Sequence, residues 1–450
     1  METDMTKGRP LPIILKFVLP LFLGNVFQQL YNMADTFIVG HFVGQNALAA
    51  VGATGTIMFL VLGFSQGLTT GFTVLTSQCF GAGDMKRLRH SFSNGIMLAW
   101  IVVVVMTILS VMLMHPLLKL MNTPAEIYAD SYTYIVIICY GTVCSVFYNL
   151  FSAYMRAVGN SKMPLYFLIF SAALNVVLDI VFIVVFKIGV AGAAIATVIS
   201  QGVSAILCLL YIVKHIKVLV PERSDWRLTR ADSMHQLRIG IPMALQFGIT
   251  ASGTMIMQAA INLFGSTAVA AFTAANKVNN LVTQGFPSMG QAMASYCGQN
   301  YGGGGYKRVR AGVRAAVLSC IIYAIIAGIL AITFMKPFVG MFFTAGTDIE
   351  GMMPWTRPYV VMCALCYIPL SMIFIFRNAM QGCGYGLLPM LGGVVELFAR
   401  LIMAALSMHL NNYVLAAACD PAAWVAAGIF TAVAYIFVIK DVKKKIKMDS

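Results

Sequence analysis

Runs of about 20 apolar residues, the length needed to cross about 30 Å of hydrocarbon, recur along the whole 450-residue chain with only short polar gaps between them. Cut at loop signals, they give twelve segments: 13–40, 46–78, 92–116, 127–152, 163–187, 190–214, 239–262, 268–298, 311–335, 355–378, 386–409 and 422–440. Each reads as a transmembrane helix. Hydrophobic residues fill 60% of positions and charged ones only 10%, against about 45–50% and about 25% in soluble domains. The expected fold is an all-α polytopic membrane protein with twelve transmembrane helices. No apolar stretch carries a signal-peptide cleavage pattern, so the first is read as a retained span.

The net charge of +14 would suit a nucleic-acid partner, but its distribution argues against one. With both termini on one side, 24 of the 30 Lys and Arg fall on that side in short loops, which is the signature of orientation in a membrane. The reading is therefore a multi-pass protein of the cell (plasma) membrane, both termini cytoplasmic, in contact with membrane lipid and not with nucleic acid.

The longest polar stretch lies at mid-chain and includes Pro221, Glu222, Arg223, Ser224, Asp225 and Trp226. It divides the chain into an N-terminal six-helix lobe at 1–217, a cytoplasmic linker at 218–238 and a C-terminal six-helix lobe at 239–450. The lobes repeat one another. Gly44-x-x-Ala47-x-Ala49-Ala50 matches Gly265-x-x-Ala268-x-Ala270-Ala271 at an offset of 221, and the same offset lays Gln78, Gly83 and Arg87 over Gln299, Gly304 and Arg308. Met155, Gly159 and Pro164 meet Met380, Gly384 and Pro389 at an offset of 225. Two pseudo-symmetric lobes of six spans, each an even number, share one orientation.

Three carboxylates interrupt the apolar segments: Asp35, Asp179 and Glu396. A charge at the bilayer centre costs at least about 2.5–3.5 kcal/mol, so such residues mark function first. In span one, Asn25, Gln28, Asn32 and Asp35 share one helical face; in span five, Ser171, Asn175 and Asp179 repeat every four residues. At 1.5 Å per residue, Asp35 and Asp179 lie about 9 Å and about 12 Å from the same side of the membrane. Two acids at matched depth, with Asn175 one turn from Asp179, can hold a proton or a partly dehydrated Na⁺, because oxygen ligands suit a hard cation. The alternative is a pair of neutral groups satisfying a helix-packing network.

Glu396 and Arg400 are four residues apart in the order that favours an intrahelical ion pair; they suit either a compensated structural pair or substrate recognition. The repeat lays Asp35 over Ile256 and Asp179 over Ala404, so the acid pair belongs to the first lobe alone. Gly63, Gly67 and Gly71 predict a close helix contact, and Pro20 a bend in span one. The ten cysteines read as small core residues. None of the six histidines lies deep in a span and no HExxH occurs, so an intramembrane enzyme lacks a catalytic set.

The two-lobe repeat, the Asn32-Met33-Ala34-Asp35-Thr36 segment, the Gly44 to Gly52 run and the Arg156-Ala157-Val158-Gly159-Asn160 loop together resemble the multidrug and toxic compound extrusion (MATE) family over essentially the whole chain. The resemblance implies export of organic cations and other amphipathic drugs against entry of H⁺ or Na⁺, by a monomer without cofactors. It also implies that Asp35, Asn175 and Asp179 serve cation coupling, and form the metal site if the ion is Na⁺. The acidic positions that another branch carries on spans seven and ten are absent here. Gln28, Asn32, Glu396 and Arg400 are candidate substrate or cavity residues.

The expected function is a cation-coupled multidrug efflux antiporter working by alternating access. The alternative is a lipid-linked precursor flippase of the same superfamily, which calls for a more basic interior than Lys277 and Arg400 supply. A major facilitator transporter matches less well, since Gly81-Ala82-Gly83-Asp84-Met85-Lys86-Arg87 only partly resembles that superfamily's loop signature.

Overall fold

The computed structural model describes residues 3–120, 123–341, 343 and 348–448. These are helical almost throughout, as lipid demands: with no water to satisfy backbone N–H and C=O groups, a spanning segment must satisfy them itself. The helices are α1 (Pro10–Phe42), α2 (Gln45–Ala82), α3 (Met85–Leu120), α4 (Ala125–Tyr140), α5 (Thr142–Ala157), α6 (Lys162–Asp179), α7 (Val190–His215), α8 (Arg230–Asn262) and α9 (Ser266–Val282). They continue with α10 (Gly285–Gly302), α11 (Tyr306–Thr333), α12 (Met335–Gly340), α13 (Ile349–Leu365), α14 (Tyr367–Gly382), α15 (Leu387–Leu410), α16 (Tyr413–Ala417) and α17 (Cys419–Met448).

Nine of these are long and apolar enough to cross a membrane among the described residues. Two more spans are the bent pairs α4 with α5, at 47°, and α13 with α14, at 50°. The twelfth expected span, 268–298, is α9 followed by α10. Its Asn and Lys residues keep it below the apolarity of the others. The bend at α4 and α5 falls on Gly141, where a Cβ would stand 2.2 Å from a Val198 methyl; a side chain there would push α7 away.

Contacts divide the chain into two compact units: residues up to Asp4 with Leu19–Phe247, and Met5–Val18 with Gly248–Ser450. The division differs from the expected lobe limits because the 218–238 stretch is packed. Asp225, Asp232 and Gln236 are buried in the first unit, where Asp232 takes hydrogen bonds from Arg87 (3.0 Å) and His90 (2.9 Å). The early part of α8 continues that packing. A Cβ at Gly67 would lie 2.7 Å from the Ala244 Cα, and one at Gly71 only 2.3 Å from the Gly240 Cα. The glycine stripe therefore does what its spacing predicts, letting α2 meet α8 backbone to backbone.

The repeat seen in the sequence is also present in the backbone. Gly44 and Gly265 have φ of 121° and 87°, Gly83 and Gly304 have 72° and 69°, and Gly159 and Gly384 have 86° and 91°. Each aligned pair shares a positive φ, which glycine adopts without steric cost. The aligned arginines also do matching work within their own units. Arg87, at the start of α3, holds Asp232, while Arg308, at the start of α11, donates to the Met5, Lys7 and Gly8 carbonyls at 2.8–3.2 Å.

In the first unit, Phe72, Leu75, Phe92, Leu150, Phe151 and Tyr154 form the main apolar core between α2, α3 and α5. Large apolar side chains also cover outer faces, such as Trp100, Val104, Ile108 and Met112 on α3. Facing lipid, these need no further partner. All ten cysteines are free thiols.

Candidate functional site

Asp35 sits two turns before the end of α1 and Asp179 is the last residue of α6, after which the chain continues as a π-helical segment, Ile180–Val185. Both acids belong to the first unit. Beside them lies an apolar cluster of Ile38, Val39, Tyr134, Ile183 and Val190, so little water can reach the pair. Asp179 and Asn175 are fully buried and Asp35 is half-buried.

The two carboxyls meet within hydrogen-bonding range. An ionised carboxylate only accepts hydrogen bonds, so this contact needs a proton on one partner or a cation between them. The Oδ1 atoms of Asp35 and of Asp179 are both buried with no hydrogen-bond partner. Asn175 fixes the opposite oxygen. In the amide orientation that satisfies both neighbours, its N–H donates to Asp179 Oδ2 at 2.9 Å and its oxygen accepts from the Thr197 backbone N–H at 3.2 Å. Tyr31, one turn before Asp35, shares a side-chain hydrogen bond with Thr197.

Tyr31 and Thr197 are the residues that reading the sequence missed. Tyr31 stands four residues before Asp35, a spacing that the count of amide and acid side chains passed over. Thr197 carried no signal, since one threonine in α7 looks like any other. Gln28 and Asn32 are exposed in the first unit, outside the buried part of the site.

Glu396 and Arg400 are placed elsewhere, in the second unit. Arg377 of α14 pairs with Glu396. Arg400 bonds both Glu396, at 3.5 Å, and Asp420 of α17, at 2.9 Å. Tyr359 carries the chain on, its hydroxyl 3.4 Å from Asp420 Oδ2 and 3.4 Å from Asn276 of α9. All four charged residues are at most 7% exposed. Two arginines and two acids thus balance within the protein, the arrangement that makes buried charge tolerable. Arg377 lies at the very end of the span drawn at 355–378, and Asp420 just outside the one drawn at 422–440. The structure buries both.

Nine to eleven apolar spans and a buried acid pair with open acceptor positions define a multi-pass membrane transporter in outline. The comparisons with known proteins are specific. The MatE family model matches residues 20–181 and 242–406. A probable multidrug resistance protein, YpnP of Bacillus subtilis (strain 168), is 34% identical over 315 residues, covering 68% of each chain. The probable multidrug resistance protein NorM of Thermotoga maritima is 26% identical over 404 residues, 87% of this chain and 84% of that one. A crystal structure of a MATE protein in its bent conformation has the same fold, with a TM-score of 0.90 at 20% identity over 99% of this chain and 100% of the other. The chain belongs to the MATE family, whose members are transporters and not enzymes.

Proposed function

We propose that this protein is a cation-coupled multidrug efflux antiporter. Its relatives YpnP and NorM are named as probable multidrug resistance proteins, a role that export of drugs from the cell would serve. Cation coupling by H⁺ or Na⁺ is supported by one observation above the rest: two carboxyls in contact, each with a buried oxygen that no protein group satisfies. Asp35 and Asp179 hold the ion, and Asn175 keeps Asp179 oriented for it.

The coupling follows from differential affinity. A ligand shifts a two-state equilibrium only if it binds one state better. With the acids together, a proton or cation relieves their repulsion and fills the unmet oxygens. With the acids apart, each is solvated separately and the ion leaves. Ion binding then favours the state with the acids together, and alternation between the states exchanges ion for drug. On this reading the protein acts as a monomer in the plasma membrane, with both termini cytoplasmic and two six-helix repeats.

Drug uptake into proteoliposomes under an imposed pH gradient, compared with an imposed Na⁺ gradient, tests the reading. Uptake driven by one of them supports it and identifies the ion. Uptake equal to that of protein-free vesicles under both gradients overturns it.

A further inference from the structure

The acids and bases of the segment joining α7 to α8 face opposite ways. From Lys214 to Arg238 the chain carries three acids, Glu222, Asp225 and Asp232, and six Lys and Arg: Lys214, Lys217, Arg223, Arg227, Arg230 and Arg238. The acids are all taken by α3. Arg89 pairs with Glu222 at 3.1 Å and with Asp225 at 3.5 Å, while Asp232 holds Arg87 and His90 at 3.0 and 2.9 Å. The six bases are exposed, and among the described residues none of them forms an ion pair. The outer face of the segment is left positive.

Large apolar side chains share that face. Trp226, Leu228 and Met234 are 48%, 50% and 56% exposed, although the backbone that carries them is firmly held. Ser93 Oγ donates to the Asp225 carbonyl at 2.6 Å, and the Thr229 N–H donates to Asn94 Oδ1 at 3.2 Å. These two bonds bracket residues 226–228 and set them level with Ser93 and Asn94 of α3.

That level lies next to the hydrocarbon edge. Trp100, where the exposed apolar face of α3 begins, is six residues beyond Asn94, about 9 Å along the axis. On α8 one stripe of exposed residues runs Arg230, Met234, Arg238, Ile241 and Leu245, so bases give way to apolar side chains one turn after Arg238. On α7 the exposed Ile206, Leu210 and Val213 are followed by Lys214 and Lys217. A headgroup layer adds about 5–7 Å beyond the hydrocarbon on each side, and Trp and Arg side chains are long enough to enter it.

We propose that the outer face of residues 214–238 binds the headgroups of anionic membrane phospholipids. Arg223, Arg227 and Arg230 meet the phosphates, since a guanidinium matches phosphate geometry and a juxtamembrane cluster of bases is drawn to an anionic leaflet. Trp226 and its apolar neighbours lie at the boundary between headgroups and acyl chains, where indole side chains concentrate. On the orientation proposed above, this is the cytoplasmic leaflet. Lipid binding here does not depend on drug efflux and is tested without transport.

The test is quenching of Trp226 in phosphatidylcholine vesicles that contain increasing mole fractions of phosphatidylglycerol brominated near the headgroup end of its acyl chains. Phosphatidylcholine brominated in the same way is the reference lipid. The Trp226 signal is the emission of the full-length protein minus that of its Trp226→Phe counterpart. It is followed in wild type, in a variant combining Arg223→Gln, Arg227→Gln and Arg230→Gln, in the same three positions changed to Lys, and in a charge-matched control combining Lys307→Gln, Arg310→Gln and Arg314→Gln, exposed bases at the start of α11. Wild type should reach half-quenching at a mole fraction of brominated phosphatidylglycerol at least tenfold lower than of brominated phosphatidylcholine, since one base near an anionic surface contributes about fivefold. The Gln variant should lose that preference, and the Lys variant and the control should keep it. Equal quenching by the two lipids in wild type, or quenching by neither, overturns the proposal; so does a preference that survives in the Gln variant, or a loss in the Lys variant or the control as large as in the Gln variant.

Discussion

Asp35 and Asp179 bring their carboxyls together from α1 and the end of α6, and each keeps one buried oxygen without a partner. Two acids in contact with unmet acceptor capacity are unstable as bare anions, so the pair is complete only with a proton or cation. Replacing either by Asn supplies an N–H donor in place of the ion. Asp35→Asn and Asp179→Asn should each leave the fold intact and reduce gradient-driven drug uptake to background, read in proteoliposomes at matched protein content.

The close approach of α2 to α8 predicts a steric threshold. A Cβ at Gly71 would stand 2.3 Å from the Gly240 Cα, and backbone atoms cannot step aside as a flexible side chain can. Gly71→Ala should destabilise by about 1–3 kcal/mol, the usual cost of overpacking, seen as a lower melting temperature in detergent. Gly52→Ala, where a Cβ meets nothing within 4 Å, should leave it unchanged.

How much of this was legible beforehand depended on the kind of signal. The spans could be read because the bilayer fixes their length, and the glycine stripe because close packing needs a four-residue spacing. Asp35 and Asp179 stood out because an acid in an apolar run is expensive. Asp420 did not, since it precedes its span by two residues, and Arg377, one residue from the end of its span, has no acid near it in sequence. Their partners are distant in sequence, and only the folded second unit brings them together. The packing of 218–238 onto α3 was hidden for a similar reason: a polar segment reads as a linker until its partners, Arg87 and the buried His90, are seen.

Charge balance in the second unit gives a prediction with opposite signs. Glu396→Leu leaves two buried arginines facing one acid, and Arg377→Leu leaves Glu396 with the weaker 3.5 Å partner. Each single variant should cost about 3–5 kcal/mol. The double variant removes one charge of each sign and keeps Arg400 paired with Asp420. It should melt above both single variants.

Arg308 holds the N-terminal segment through three backbone carbonyls. Arg308→Ala removes charge-assisted bonds worth about 1.5–3 kcal/mol each. Hydrogen exchange should accelerate at residues 5–9, with α13 to α17 unaffected. Unchanged exchange at residues 5–9 would show that Gln299 and Asn300, which also bond Met5, suffice alone.

The central claim is that ion and drug meet their coupling at Asp35 and Asp179, and the direct measurement is ion flux triggered by drug. Proteoliposomes loaded with drug and a pH-sensitive or Na⁺-sensitive dye would be followed as drug leaves down its own gradient, for wild type and for Asp35→Asn with Asp179→Asn. The account predicts drug-dependent ion movement in the opposite direction in wild type and none in the double variant. Equal ion movement in both proteins would contradict it.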